Sequence, residues 1–258
     1  FDPDILRRTA LAAGPVSGRT VIEVGPGPGG LTRALLDAGV DKLICVEADP
    51  RFADALQTWP EAGTGRLHVH HGDARKVNWP KLISENGGVT PAMIIANLPY
   101  NVGTPLLVNW LKAPDWRGEM ALMFQKEVAE RICAAPGSAH YGRLAVLAAS
   151  VCGSHIAFTL PPGAFRPPPK VDSAVAVMTP LPDERRFAHI DALETVAGAA
   201  FGQRRKMLRA ALKPLARRVG LVAVDWITSC DIDPTARAET LDQAAFRRLA
   251  TAFVAARA

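Results

Sequence analysis

The chain has 258 residues, 48% apolar and 21% charged, a length and balance that permit one large core or two unequal ones and exclude a disordered tail protein. No apolar run approaches the roughly 18 residues of a membrane span and no basic-then-apolar export signal opens the chain, so no membrane role and a cytoplasmic location are expected. Cys45, Cys133, Cys152 and Cys230 lie far apart without a C-x-x-C pair, which excludes a disulfide framework or zinc knuckle, and the net charge of +5 is concentrated in residues 181–258, with 13 Lys/Arg against 9 Asp/Glu.

In chain order, β-branched Thr20 to Val24 predicts a first strand, then a glycine turn and a helix over Leu31 to Ala38. Further strands are expected at Lys42 to Glu47, Arg66 to His70, Ala92 to Ala96 and Met120 to Phe124, with helices at Thr104 to Leu111 and Lys126 to Ala134. Alternating strands and helices favour an α/β fold with a mostly parallel sheet covered on both sides. The proline-rich stretch 161–182 cannot be regular helix and reads as an ordered loop, then a strand at Ser173 to Met178.

Beyond Pro182 the pattern turns helical. The expected division is therefore 1–181 for a catalytic sheet domain and 182–258 for a small all-helical domain. In the latter, Leu208, Ala211, Leu212 and Leu215 form an apolar stripe. Arg204, Arg205, Lys206, Arg209, Lys213, Arg217 and Arg218 fall within fifteen residues that hold no acid, as a helix tracking phosphates would. A solvated helix face explains the same charges equally well. Thr240 and Gln243 have capping-box spacing ahead of a last helix.

The strongest local signal is E-V-G-P-G-P-G-G at 23–30, where Gly25, Gly27 and Gly30 satisfy G-x-G-x-x-G at a strand-to-helix junction. A pyrophosphate site of this kind uses backbone amides, but Pro26 and Pro28 have none and Glu23 adds negative charge. The loop suits a ligand carrying positive charge, and S-adenosylmethionine has both a sulfonium and an ammonium group. Glu47, at the end of the second strand, is placed to accept from ribose hydroxyls, and Asp73 in Gly72-Asp73-Ala74 from an adenine amine. Gly27 and Ala74 are candidate contacts beside them.

N-L-P-Y at 97–100 ends the fourth strand. The Asn97 side-chain oxygen and a carbonyl such as that of Leu98 can accept both hydrogens of an aromatic amine, aiming the nitrogen lone pair at a methyl carbon. Tyr100 offers a face for base stacking. Displacement at a sulfonium needs no metal. The H-V-H-H run at 68–71 lacks the further ligands of a metal site, so no metal is expected.

These motifs, with Q-K-E-V-A-E-R (125–131), Y-G-R-L (141–144), F-R-P-P-P-K-V-D-S-A-V (165–175), F-G-Q-R-R-K-M-L-R (201–209) and R-A-E-T-L (237–241), make nearly the whole chain resemble the KsgA-type ribosomal RNA adenine dimethyltransferases. The resemblance implies a class I methyltransferase fold, Rossmann-like, with a helical C-terminal domain, in which Arg204, Arg205, Lys206 and Arg209 of the basic segment are the candidate RNA contacts. The implied reaction dimethylates two adjacent adenosines near the 3′ end of 16S ribosomal RNA, with S-adenosylmethionine as donor and the small subunit as partner. It also implies cofactor contacts at Gly25, Glu47, Asp73 and Asn97, base stacking by Tyr100, and Phe165 covering the other face of a flipped base. Gly103 stands where serine is common in the family, with little expected consequence beyond a more flexible turn. Two other functions compete: a ribosome-assembly factor acting by binding alone, and a large-subunit adenine methyltransferase of the antibiotic-resistance type. Nothing in the sequence points to oligomerisation, and a monomer is expected.

Overall fold

The computed structural model describes residues 2–99, 102–113, 115–165 and 168–257. Its sheet has seven strands: β1 (Thr20–Val24), β2 (Lys42–Glu47), β3 (Leu67–His71), β4 (Ala92–Asn97), β5 (Arg117–Gln125), β6 (Cys152–Leu160) and β7 (Ser173–Pro180). Their order is β3-β2-β1-β4-β5-β7-β6. The first five are parallel, and β7 runs antiparallel to β5.

Every residue of β1 is buried, as expected of a central strand covered on both faces. The apolar runs of β1, β2 and β4 therefore announce their strands plainly. β6 went unread because C-G-S-H-I-A-F-T-L carries a glycine and a histidine and alternates between exposed and half-buried positions at the sheet edge. The strand order reverses between β1 and β4, which is where open α/β sheets leave a crevice beyond the carboxyl ends of their strands.

The chain packs as two units. The first comprises residues 1–129 and 154–180, and the second residues 130–153 and 181–258. Where the sequence suggested one boundary at 181/182, packing groups 130–153 with the C-terminal helices. The reason is visible in the second unit's core, where Arg143–Val151 runs beside Ile190–Phe201 and Gln243–Ala255. Phe201 stacks on Phe246 with centroids 5.5 Å apart, and Tyr141 meets Phe201 edge-on. The Tyr141 hydroxyl donates to the Leu241 carbonyl at 2.9 Å. In the first unit Leu35, Leu43, Met93, Ala121 and Val175 form the core on one side of the sheet, with Leu31 and Leu36 from the helix Gly30–Asp37.

Two local expectations are corrected. The last helix is capped by Asp242, whose carboxylate accepts from the Ala245 amide at 2.8 Å, while Thr240 belongs to the preceding turn. The basic segment is not one helix. Residues 202–206 form turns, followed by two short helices, Leu208–Ala211 and Lys213–Arg218, the second with Pro214 in its first turn. Leu208, Ala211, Leu212 and Leu215 are buried, as their spacing suggested. Among the described residues no helix is long and apolar enough to cross a membrane.

Candidate active site

The loop after β1 uses up its own hydrogen-bond donors. The Gly25 amide donates to the Val46 carbonyl (2.9 Å), the Gly29 amide to the Pro26 carbonyl (3.0 Å), and the Gly27 amide to a carboxylate oxygen of Glu47 (2.9 Å). Pro26 and Pro28 have no amide hydrogen. From residue 25 to 29, then, the loop offers no free donor to a phosphate, and a pyrophosphate is a poor ligand for it. Gly25 and Gly27 hold φ of +67° and +54°, and a Cβ on Gly27 would project into open space.

Glu47 joins the ends of β2 and β3 to this loop. Its second oxygen accepts from the Asp49 amide at 2.9 Å, and its own carbonyl accepts from the Gly72 amide at 2.8 Å. A carboxylate has about four acceptor positions, so two amides leave capacity for ribose hydroxyls. Glu47 is therefore both a ligand candidate and the post on which the loop is built.

Glu23 plays a different part from the one its sequence position suggests. It is buried beneath the loop, where its carboxyl accepts from the Thr32 hydroxyl (2.7 Å) and the Cys45 thiol (3.5 Å). Burial pushes its pKa up to about 7, against the opposing pull of those two hydrogen bonds. At neutral pH it carries its charge only part of the time, so it ties β1, β2 and the helix Gly30–Asp37 together more than it sets the potential of the crevice. The same burial holds the Cys45 thiol well above its usual range.

At the end of β3, Asp73 caps a short turn by accepting from the Arg75 amide at 3.0 Å, and the Arg75 guanidinium forks onto both carboxylate oxygens at 2.7–3.1 Å. These bonds lower the Asp73 pKa to about 2 and keep it an acceptor. Asp49 and Arg51 repeat the arrangement at the end of β2. Both arginines escaped the sequence reading, although Asp-x-Arg two residues after each of these strands is the signal that could have found them. Ala74 opens the turn that Asp73 caps.

The end of β4 lies against the glycine loop. Asn97 pairs in register with Met123 of β5, the Leu98 amide donates to the Met123 carbonyl at 3.3 Å, and Leu98 is buried. Pro99 then turns the chain, its carbonyl accepting from the amides of Val102 and Gly103, into the helix Gly103–Lys112. A Cβ on Gly25 would sit 3.5 Å from Cδ of Pro99. The glycine loop and the N-L-P turn are thus close neighbours, near enough that a methyl group on Gly25 would touch Pro99.

Gly103 has a packing role that the sequence did not reveal. A Cβ there would come within 3.0 Å of the Phe124 ring and 3.2 Å of Leu98, so the missing side chain lets the helix close on β5.

Tyr100 lies outside the described residues, as does Arg166 of the F-R-P-P-P-K run. Phe165 is turned into the core of its unit with Leu160, Val175 and Val177, and is only 9% exposed. Its ring is large and apolar, and the tight turn Pro162–Ala164 folds it inward. Of the basic residues, Arg205, Lys206 and Arg209 are exposed in the second unit, whereas Arg204 donates to Glu239 (3.1 Å) and to the Ala139 carbonyl (2.8 Å). The ring nitrogens of His68 and His71 lie at hydrogen-bond distance from the carbonyls of Gly65 and Ala48.

The sequence profile described as ribosomal RNA adenine dimethylase matches residues 2–253. Among curated proteins, a ribosomal RNA small subunit methyltransferase A of Maricaulis maris is 46% identical over 257 residues, which is 99% of this chain and 88% of the relative. The protein of that name from Agrobacterium fabrum is 49% identical over 253 residues, 97% of this chain and 88% of the relative. Among solved structures, a dimethyladenosine transferase from Plasmodium falciparum superposes with a TM-score of 0.78 at 27% identity, covering 96% of this chain and 94% of that one. The 23S rRNA methyltransferase ErmE superposes at 0.69 with 23% identity over 98% of each chain, a likeness of fold alone.

Proposed function

This chain belongs to the ribosomal RNA adenine dimethylase family, and from that premise we propose that it methylates N6 of two adjacent adenosines near the 3′ end of 16S ribosomal RNA in the small subunit. It is an S-adenosylmethionine-dependent methyltransferase; when bound, that cofactor supplies a methyl group on a sulfonium, an electrophile with its leaving group already in place. The observation that carries the reading is the close approach of the glycine loop to the turn after Asn97, which sets a donor crevice directly beside an amine clamp.

In this mechanism Gly25, Gly27 and Ala74 line the crevice, Glu47 accepts from the ribose, and Asp73 accepts from the cofactor adenine. The Asn97 side-chain oxygen and the Leu98 carbonyl accept the two hydrogens of the target amine. This holds its lone pair toward the methyl carbon and favours the pyramidal nitrogen of the transition state. The bound donor would supply its methyl group to the amine nitrogen, and the proton that the amine gives up would leave past the Asn97 and Leu98 oxygens to water. No strong base is needed. Tyr100 stacks on the target base, and Phe165 covers its other face once it swings out of the core.

The first unit binds the cofactor and carries out the transfer. Arg205, Lys206 and Arg209 of the second follow RNA phosphates, with Arg204 bracing their turn. The protein works as a monomer in the cytoplasm, where small-subunit particles mature. Support for the small subunit as target comes from the names of relatives at 46–49% identity. The test is transfer of tritiated methyl from S-adenosylmethionine to unmethylated small-subunit particles and, separately, to protein-free large-subunit RNA. Label is expected in the first only. Label confined to the second would assign the resistance-type activity, and particle binding without label would leave an assembly factor.

A further inference from the structure

The downstream end of the glycine loop meets a side chain that none of the loop motifs includes. Gly29, at φ +88°, precedes the helix Gly30–Asp37. A Cβ there would lie 2.6 Å from Cη2 and 2.8 Å from Cζ2 of Trp59, and 2.8 Å from Leu56. The indole is thus pressed on the Gly29 α-carbon. Its face is covered by the Arg33 guanidinium, 4.4 Å from the ring centroid. Arg33 in turn donates its amide to the Gly29 carbonyl at 2.9 Å and pairs with Glu61, two residues beyond Trp59, at 2.5 Å. Backbone, cation–π contact and ion pair close a circuit around the end of the loop.

We propose that Trp59 is a positioning residue for the methyl donor: covered on one face by Arg33 and set with Leu56 against Gly29, its indole fixes Gly29 and thereby the loop Gly25–Gly30, without touching the ligand. The inference rests on the reading of that loop as the cofactor site. An indole suits the role because it is rigid, loses little rotamer freedom on packing, and presents an electron-rich face to a guanidinium. Glu47 anchors the loop at Gly27, and Trp59 bears on it two residues later. The hydrogen bonds of Gly25 and Gly27 hold the upstream part of the loop, so loss of the indole would loosen its downstream end at Gly29.

The test uses the full chain. Affinity for S-adenosylhomocysteine is measured by calorimetry for wild type, Trp59→Ala and Trp59→Phe, and amide hydrogen exchange is followed without ligand. For Trp59→Ala we expect affinity to fall about tenfold, as displacement of a positioning group does. Exchange should quicken at Gly27, Gly29 and Gly30 but not in β1. kcat with saturating donor should change less than about threefold, and Trp59→Phe should recover most of the affinity. Gly29→Ala supplies an independent variant, because its new methyl strikes Trp59: its affinity loss should be smaller in the Trp59→Ala background than in wild type. Wild-type affinity and loop exchange in Trp59→Ala would overturn the proposal. So would exchange that quickens equally through the sheet, or strictly additive losses in the double variant. If wild type itself fails to bind S-adenosylhomocysteine, the cofactor reading of the loop falls, and this inference with it.

Discussion

The crevice at the ends of β1, β2 and β3 and the basic segment 202–209 of the second unit handle charge in opposite ways. In the crevice, Glu23 is buried, Glu47 is tied to two amides and Asp73 is locked by an arginine fork. In the basic segment, Arg205, Lys206 and Arg209 stand in solvent, with Arg204 alone braced against Glu239 and Ala139. The first arrangement holds its acids in fixed positions, at a desolvation cost for Glu23 and Glu47. The second keeps its charge hydrated and available for counterion release against a polyanion. Their failures should therefore differ in kind: loss of geometry in one, loss of salt-dependent attraction in the other.

The largest expected effect comes from the amine clamp. Asn97→Ala should lower methyl transfer by about 10²–10³, the usual loss when one oriented polar group of a transition-state site is removed. Particle binding should hold, as measured by filter retention, and full transfer in the variant would break the proposed mechanism. Next, Glu47→Gln turns an acceptor into an amide that cannot receive both the Gly27 and Asp49 hydrogens. A fall in S-adenosylhomocysteine affinity of about tenfold is expected by calorimetry, consistent with charged hydrogen bonds worth about 1.5–3 kcal/mol.

In the other region, Lys206→Ala should weaken particle binding and lower the slope of log K against log salt by roughly 1. Arg204→Ala should leave that slope unchanged while lowering the melting temperature of the chain. Equal slopes for the two variants would erase the distinction drawn here between a phosphate contact and a brace.

A separate effect is on stability. Glu23 rises from 4.5 to about 7 in the folded state, so between those values the folded chain holds a proton that the unfolded chain has lost. Its contribution is full below pH 4.5, declines as pH rises toward 7 and is level above. Urea unfolding across pH 4.5–7.5 should show this decline in wild type and a flatter line in Glu23→Gln.

How much of this was legible in the sequence follows from the range of the interactions. β1 and β2 were bounded to the residue because centrally buried strands are rich in β-branched and other apolar residues. The end of β4 and the glycine loop were legible as motifs, and even the unsuitability of the loop for phosphate followed from its two prolines. What stayed hidden depends on partners distant in sequence. Nothing local says that Glu47 reaches back 20 residues to the Gly27 amide, that Arg204 is anchored 65 residues away at Ala139, or that Trp59 rests on Gly29. For Phe165 the motif implies a cover for a flipped base, with loop packing as the alternative, and only the folded chain shows its ring packed with Leu160, Val175 and Val177. Gly103 looked interchangeable with serine until the neighbouring Phe124 ring came into view.

The account turns on which atom receives the methyl group. Nucleoside mass spectrometry of small-subunit RNA, after unmethylated particles have been incubated with the protein and S-adenosylmethionine, reads that atom directly. The expected result is N6,N6-dimethyladenosine at two adjacent positions near the 3′ end. Methylation of a ring nitrogen, a ribose hydroxyl or another base would contradict a clamp that holds an exocyclic amine.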